Sequence, residues 1–258
     1  MKTAAGWNNK KREEDIETMK IDGDICIACE VCVPYCPMSA ISMDDVAIID
    51  QDECVDCGVC LRSGVCPVDC IIYEPAPWPR ALRAAFSNPA AEHKGATGLP
   101  GRGTQEVKTN EVTGRLKPGW LVMGIEFGRP VTGARFRDVE KVAQALAKLG
   151  VKFEPQNPVT YLMEDPSTGK IRSDVLDEKV LSAIVECTFS REKGPDVLKA
   201  LQEVTREIDT VCSVEMADLV EPDEEVPMEK MLSDLGIFYR INGKTNTGLG
   251  RPKFKGGN

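Results

Sequence analysis

The stretch "CIACEVCVPYCPMSAI", residues 26–41, decides the fold of the first part of the chain. It places four cysteines within eleven positions and follows the last with a proline. A second stretch, "CVDCGVCLRSGVCPVDCII" at residues 54–72, repeats this pattern. The first three cysteines recur at an offset of 28 residues and the fourth at an offset of 30, so the second copy carries a two-residue insertion within "LRSGV".

Closely spaced thiols serve disulfides, zinc sites or iron–sulfur clusters. Disulfides are typical of secreted proteins, but the N-terminal "MKTAAGWNNKKREEDIE" lacks the apolar run of a signal peptide, which predicts a reducing, cytoplasmic location. A zinc site usually takes two well-separated ligand pairs, which a CxxCxxCxxxCP run does not provide. The spacing favours iron–sulfur chemistry.

Residues 22–74 resemble a bacterial-type two-cluster ferredoxin, and the motif is highly specific. The resemblance implies two [4Fe–4S] clusters that exchange their fourth cysteine ligands. The implied ligands of the first cluster are Cys26, Cys29, Cys32 and Cys66. The implied ligands of the second cluster are Cys54, Cys57, Cys60 and Cys36.

Three cysteines fall outside these ligand sets. Cys70 occupies the position that Ala40 holds in the first copy, and we favour a small buried residue beside a cluster over an alternative ligand. Cys187 and Cys212 lie in apolar, strand-like runs. They are expected to be core thiols rather than ligands of a third cluster.

Charge is concentrated in the cysteine-rich part of the chain. The 258 residues carry a net charge of −9, and residues 21–75 contain eleven acids against the single Arg62. This argues against nucleic-acid binding and predicts a redox partner or reductase subunit with a basic docking face. We expect Asp44, Asp45, Asp52 and Glu53 to contribute to docking, although acids also maintain solubility. No apolar stretch reaches the length of a membrane span.

Residues 75–119 read as a Gly/Pro-rich basic connector in which only "RALRAAF", residues 80–86, predicts a short helix. The solitary histidine, His93, lies here and is expected to be a solvated loop residue. Glycines and cations recur in the connector and in the C-terminal segment, 223–258, so both could contribute to one site for a phosphate-bearing cofactor. The candidate residues are Arg102, Lys108, Arg115, Lys244 and Arg251. A basic linker explains the connector about equally well, and a disordered basic tail is the alternative for the C-terminal segment, above all for "KFKGGN".

The region 120–222 alternates between strand and helix patterns. Buried strands are predicted at "WLVMGIEF" and "LSAIVECTF", and further strands at "VTYLME" and "TVCSVEMADLV". Helices are predicted over residues 135–150, ending at Gly150, and after Pro195. The order βαββαβ indicates a ferredoxin-like α+β sandwich. With an N-terminal extension, 1–21, this makes an α+β chain with an iron–sulfur module followed by a sandwich domain.

A second resemblance, to 6-hydroxynicotinate reductase, rests on "GRGTQEVKTNEVTG", "VMGIEFGRP" and "NGKTNTGLGRP". It implies reduction of a heteroaromatic ring, and it is compatible with flavin, although no motif supports flavin. We expect primarily an electron-transfer protein or a subunit of an anaerobic reductase. The alternatives are a self-contained ring reductase and a redox-sensing, ligand-binding regulator.

Overall fold

A computed structural model describes residues 17–91, 116–221 and 226–240 of the chain. Within these residues, no helix is both long enough and apolar enough to cross a membrane.

Short strands and helices make up the described part of the cysteine-rich region. They are β1 (Glu17–Ile21), β2 (Ile41–Met43), β3 (Ala47–Ile49), α1 (Val59–Arg62), β4 (Ile71–Pro75) and α2 (Ala81–Ser87). β1 pairs with β4 and β2 with β3, in both cases antiparallel. The helix predicted at residues 80–86 is confirmed as α2.

The rest of the described chain contains the remaining strands and helices. They are β5 (Trp120–Phe127), β6 (Ala134–Arg135), α3 (Phe136–Ala147), β7 (Lys152–Phe153), β8 (Met163–Asp165), β9 (Lys170–Ile171), β10 (Lys179–Val180), β11 (Ala183–Ser190), α4 (Gly194–Val204), β12 (Cys212–Ala217) and α5 (Pro227–Asp234).

The described residues divide into two compact units that do not follow the predicted contiguous boundaries. The first contains 17–91, 128–136 and 173–183. The second contains the remaining described residues. Two segments of the predicted sandwich region therefore belong to the cysteine-rich unit. The physical reason is that side chains of these segments contact the cysteine-rich region, as in the ion pairs Arg135–Asp52 and Lys179–Glu53.

In the first unit, α2 packs against β1 and β10. The rings of Phe86 and Phe136 meet edge-to-face with centroids 5.2 Å apart. The hydroxyl of Ser87 accepts a hydrogen bond from the amide of Leu181 at 2.9 Å. Residues 75–91 are thus an integral part of this unit rather than an unstructured connector.

A four-stranded sheet with the order β12-β5-β11-β7 is the centre of the second unit. Two of its strand pairs, β12 with β5 and β11 with β7, are antiparallel. In chain order, α3 lies between the strands β5 and β7, and α4 lies between β11 and β12. The apolar faces of both helices are buried, as their 3.6-residue periodicity predicts. Gly150, with a φ of 68°, follows α3 at the predicted stop.

One predicted strand of this sheet is wrong. The run "VTYLME" contains a 3-10 turn at Thr160–Leu162, and Met163–Asp165 then pairs with β9 in a separate hairpin. Lys152–Phe153 takes the expected place in the sheet beside β11. A short apolar run fits a turn and a strand equally well by periodicity, so the pattern alone could not place this strand.

Candidate metal centre

Two loops carry most of the cysteines and repeat one another. The first loop (residues 24–32) follows β1, and the second loop (residues 52–60) follows β3. The repeat extends to the sheets, because β1 pairs with β4 just as β3 pairs with β2. The sequence repeat is therefore also a structural repeat.

Backbone hydrogen bonds at the start of each loop are also equivalent. The amide of Cys26 donates to the carbonyl of Asp22 at 3.0 Å. The amide of Cys54, 28 positions later, donates to the carbonyl of Asp50 at 2.9 Å. The first cysteine of each loop is thus fixed by the same contact to the preceding strand.

Left-handed backbone conformations occur at equivalent positions in both copies. Positive φ angles are found at Ala28, Glu30 and Ser39, and again at Asp56, Gly58 and Asp69. Such angles are uncommon for residues other than glycine, and turns of this kind form concave sets of amides that suit anions and iron–sulfur sites. At Gly58, with a φ of 66°, a Cβ atom would meet the hydroxyl of Tyr73, so a side chain here would have to displace that tyrosine.

One group of thiols combines the first loop with a cysteine from the second copy. Burial raises the pKa of the Cys32 thiol, and the nearby charges of Cys26, Cys29 and Cys66 raise this pKa further. Cys66 also acts electrostatically on Cys26. The structure therefore brings Cys66 to the first loop, although Cys66 belongs to the second stretch.

Backbone donors surround the sulfur atoms of this first group. Burial tends to raise the pKa of Cys66, but the pKa is lowered overall because backbone amides, led by that of Cys70, donate to its sulfur. The Cys70 amide lies 3.3 Å from the Cys66 Sγ. The pKa of Cys26 is lowered chiefly by a hydrogen bond from the backbone of Ala47. Both sites favour the thiolate, which is the form that binds metals.

The second group of thiols lines a cavity in the first unit. These thiols belong to Cys36, Cys54, Cys57 and Cys60. Burial raises the pKa of Cys60 to about 11, and the charges of Cys57 and Cys36 raise it too. The amide of Ala40 donates to the Cys36 Sγ at 3.2 Å, which matches the contact between Cys70 and Cys66. Cys36, from the first stretch, thus joins the second loop.

The donor set fits iron–sulfur clusters. Within residues 17–91, 116–221 and 226–240, no three His, Cys, Asp or Glu side chains lie close enough together to hold a single metal ion. The fit rests instead on eight thiols in two groups of four, with amide donors directed at the sulfur atoms. Four thiolates are the ligands that a [4Fe–4S] cluster uses.

A buried arginine supports the backbone of the second loop. Arg83, on α2, is only 5% exposed. One of its terminal nitrogens donates to the carbonyls of Gln51, Asp52 and Cys54 at 2.8–2.9 Å. Its Nε forms an ion pair with Glu178. One guanidinium thus links the start of the second loop to the 173–183 segment.

Arg80 provides a second contact from the same helix region. Its Nε donates to Asp56 Oδ2 at 2.8 Å, and a terminal nitrogen donates to Asp56 Oδ1 at 3.2 Å. Asp56 lies between Cys54 and Cys57 in the sequence, and its side chain is buried. Its ion pair with Arg80 therefore neutralises a carboxylate inside the second loop. A buried carboxylate without such a partner would be strongly unfavourable.

Two of the acids expected to dock a partner are already paired within the unit. A terminal nitrogen of Arg135 lies 2.7 Å from Asp52 Oδ2, and this contact holds the pKa of Asp52 below its usual value. Lys179 forms an ion pair with Glu53. Asp52 and Glu53 therefore form ion pairs within their own unit, and their role in docking a partner stays a prediction.

Cys70 lies directly beside the first group of thiols. Its Sγ is 3.4 Å from the Sγ of Cys66, and the side chain is buried. Burial raises its pKa to about 12, and the contact with Cys66 raises the pKa as well. A neutral thiol packed against Cys66 is what the buried-residue interpretation requires.

Some predicted residues lie elsewhere or outside the described part of the chain. Cys187 is fully buried in β11, where burial raises its pKa to about 12, and Cys212 is half-buried in β12. His93 and all five predicted cofactor-binding residues lie outside the described residues: Arg102, Lys108, Arg115, Lys244 and Arg251.

Sequence reasoning missed the arginines and the lysine that contact the second loop. Arg80 and Arg83 lie within residues 75–119, which the sequence predicts to be a connector. The run "RALRAAF" contains a usable signal. A short helix that carries two arginines next to an acidic module indicates contacts between those arginines and the acids of the module. No local signal marked Arg135 or Lys179.

Comparisons with known proteins agree with this geometry. The family model for a 4Fe–4S dicluster domain matches residues 7–70. Ferredoxin-2 of Chlorobaculum tepidum is 48% identical over 56 residues, which are 19% of this chain and 87% of that protein. The pyruvate synthase subunit PorD of Methanothermobacter marburgensis is 35% identical over 71 residues, 27% of this chain and 83% of that protein. No solved structure matches the chain.

The match covers the repeated cysteine stretches and most of the strands around them. The cofactors of this module are [4Fe–4S] clusters, and its chemistry is electron transfer. Through this module, the chain belongs to the ferredoxins with a 4Fe–4S dicluster domain.

Proposed function

We propose that the chain is the electron-transfer subunit or the electron-carrying partner of a reductase. The observation that supports this most directly is the presence of two groups of four thiols, each completed by a cysteine from the other copy of the repeat. Clusters held in this way supply one-electron couples whose potentials depend on hydrogen bonds to sulfur and on solvent exposure.

The ligand assignment is part of the proposal. The first cluster is assigned to Cys26, Cys29, Cys32 and Cys66. The second is assigned to Cys36, Cys54, Cys57 and Cys60. The repeated amide contacts to Cys36 and Cys66 support equivalent roles for these two crossing ligands.

The second unit is assigned to the ferredoxin-like α+β sandwich class. The sheet order β12-β5-β11-β7 and the placement of α3 and α4 between its strands support this assignment. Such sandwiches serve many roles, so this unit does not identify a substrate. The proposed context is a cytoplasmic reductase, and a role as a subunit is supported by a relative that is named as a subunit of pyruvate synthase.

The resemblance to 6-hydroxynicotinate reductase remains a prediction. Two of its three supporting stretches, at residues 101–114 and 242–252, lie wholly outside the described residues. The regulator alternative likewise stays a prediction.

Electron transfer without substrate turnover is the direct test of the proposed function. The chain would be purified anaerobically, reduced with dithionite, freed of excess reductant and mixed with ferricyanide. We expect each reduced cluster to donate one electron, so that ~2 ferricyanide ions are reduced per chain. Steady reduction of a heteroaromatic ring by the single chain, with viologen as electron source, would instead establish the self-contained ring reductase.

Replacing Cys70 should leave both clusters in place. Because Cys70 contributes an amide and a neutral thiol rather than a ligand, Cys70→Ala keeps the amide and is expected to retain about eight iron atoms and eight sulfides per chain. Iron and acid-labile sulfide analysis would measure this, with Cys187→Ala as a control for loss of a buried thiol. A loss of half the iron in Cys70→Ala alone would make Cys70 a ligand.

A further inference from the structure

The two loops are equivalent in backbone but opposite in exposure. Ile27 in the first loop is 59% exposed, whereas Val55, its equivalent 28 positions later, is 1% exposed. Their neighbouring ligands follow the same trend, since Cys29 is exposed and its equivalent Cys57 is buried. The first loop therefore faces solvent while the second is enclosed.

Among the described residues of the first unit, four of the seven large exposed apolar side chains lie in and just after the first loop. We call this set the first-loop face, and it consists of Ile25, Ile27, Val31 and Tyr35. Single exposed apolar residues are ordinary, but several within eleven positions around a metal centre are characteristic of a binding surface. The second loop has Glu53 in place of Ile25, and Glu53 is paired with Lys179.

Four acids lie in the first loop and in the turn between β2 and β3. Asp24 and Glu30 lie within the loop and are exposed. Asp44 and Asp45 lie in the turn between β2 and β3, whose Val46 is 3.7 Å from the position of a Cβ on Gly23. Among the ion pairs of the described residues, none involves these four acids.

The acids of the second loop contrast with those of the first. Asp52, Glu53 and Asp56 are each paired with a cation of the same unit. Negative charge that is open to a partner thus remains beside the first loop. A surface with an apolar centre and a charged rim complements a partner with an apolar centre and a rim of the opposite charge.

We infer that the first-loop face is the docking surface for a one-electron redox protein whose own electron-transfer edge is apolar and ringed by lysines or arginines. The inference rests on the proposed electron-transfer function and adds the direction of access: electrons enter and leave on the side of the first loop. Each exchange moves one electron between the chain and the partner, with no bond made or broken. The enclosed second loop makes no contact with this partner.

Binding of a basic c-type cytochrome tests this surface apart from activity. Both proteins would be kept oxidised, so that the dissociation constant is measured without electron transfer, at low ionic strength. Ile27→Gln removes apolar contact without changing charge, and we expect it to raise the dissociation constant about fivefold. Ile48→Gln is the control, since Ile48 is also an exposed isoleucine, 47% against 59% for Ile27, but lies on β3. The control is expected to change the constant less than about twofold.

Salt provides the second arm of the same experiment. Exposed charges are screened over about 10 Å at 0.1 M salt, so binding by the wild-type chain should weaken as salt rises. Asp44→Asn combined with Asp45→Asn should reduce this salt dependence. Asp52→Asn should leave it nearly unchanged, because Asp52 is already paired with Arg135.

The outcomes separate this inference from the proposed function. Equal effects of Ile27→Gln and Ile48→Gln would overturn the docking surface while ferricyanide reduction still supported electron transfer. Failure of the reduced wild-type chain to reduce ferricyanide would overturn the proposed function itself. A wild-type dimer that Ile27→Gln converts to a monomer in sedimentation would assign the face to a second copy of this chain, and would also overturn the inference.

Discussion

Replacing Cys36 and Cys29 together with alanine is expected to remove both clusters, whereas replacing Cys36 and Cys57 together should leave one cluster intact. The reason is the exchange of ligands between the loops. Cys36 shares a cavity with Cys57 and lies in the other group from Cys29. Loss of one thiolate ligand opens the whole cluster to solvent, so two losses within the same cluster remove no more iron than one.

Iron and sulfide contents, measured after anaerobic purification, provide the readout. The Cys36→Ala/Cys57→Ala variant should keep about four iron atoms, and the Cys36→Ala/Cys29→Ala variant should keep almost none. Cys36 is the better probe of the crossover because its neighbour four positions on is Ala40. Cys66 is a weaker probe, because the thiol of Cys70 lies 3.4 Å from its sulfur and is able to take its place as a ligand. The reverse pattern, with half the iron left in the pair containing Cys29, would show that each stretch binds its own cluster.

The cluster module was largely predictable from sequence because its determinants are local. The offsets of 28 and 30 residues between the two cysteine stretches correspond in the structure to repeated hydrogen bonds at Cys26 and Cys54 and at Cys36 and Cys66. Ligand spacing within a tight loop is a property of a few adjacent residues. A repeat of the spacing therefore predicts a repeat of the fold.

The enclosure of the second loop was not predictable in the same way. Arg135 and Asp52 are 83 positions apart, and Lys179 and Glu53 are 126 apart. Periodicity and composition describe neighbours in sequence, so they carry no information about which distant cation meets which acid. The same limit explains why segments 128–136 and 173–183 were assigned to the sandwich domain alone.

The exposure of the two loops follows from these distant contacts rather than from the loops themselves. Ile27 and Val55 are both apolar and occupy equivalent positions, yet only Val55 is buried. Charge counting alone treated all eleven acids of residues 21–75 as one docking surface. The structure separates them, because Asp52, Glu53 and Asp56 are paired within the unit.

Replacing Arg83 with methionine is expected to destabilise the second loop strongly. Methionine fills similar space but leaves the Glu178 carboxylate and three carbonyl oxygens without their shared donor. Removing one member of a buried ion pair typically costs about 3–5 kcal/mol. Because clusters are lost irreversibly on unfolding, the measurable quantity is a rate.

The rate of cluster loss in guanidinium, followed by the absorbance of the clusters, would give this quantity. Arg83→Met should lose its clusters roughly 100-fold faster than the wild-type chain if the contacts are absent from the transition state for unfolding. The control is Arg62→Met, since Arg62 is exposed and donates to a single loop carbonyl, that of Cys57, at 2.7 Å. A change of less than about tenfold is expected there.

The carboxylate can be tested separately from the carbonyls. Adding Glu178→Gln to Arg83→Met removes the unpaired charge and should recover part of the lost stability, because only the carbonyls then lack a donor. In a chelator, Arg83→Met should pass through a stage with about four iron atoms per chain, since the enclosed second cluster loses its support and the first keeps its own amide donors. Equal rates for Arg83→Met and Arg62→Met would show that the buried arginine is only one of many equivalent surface contacts.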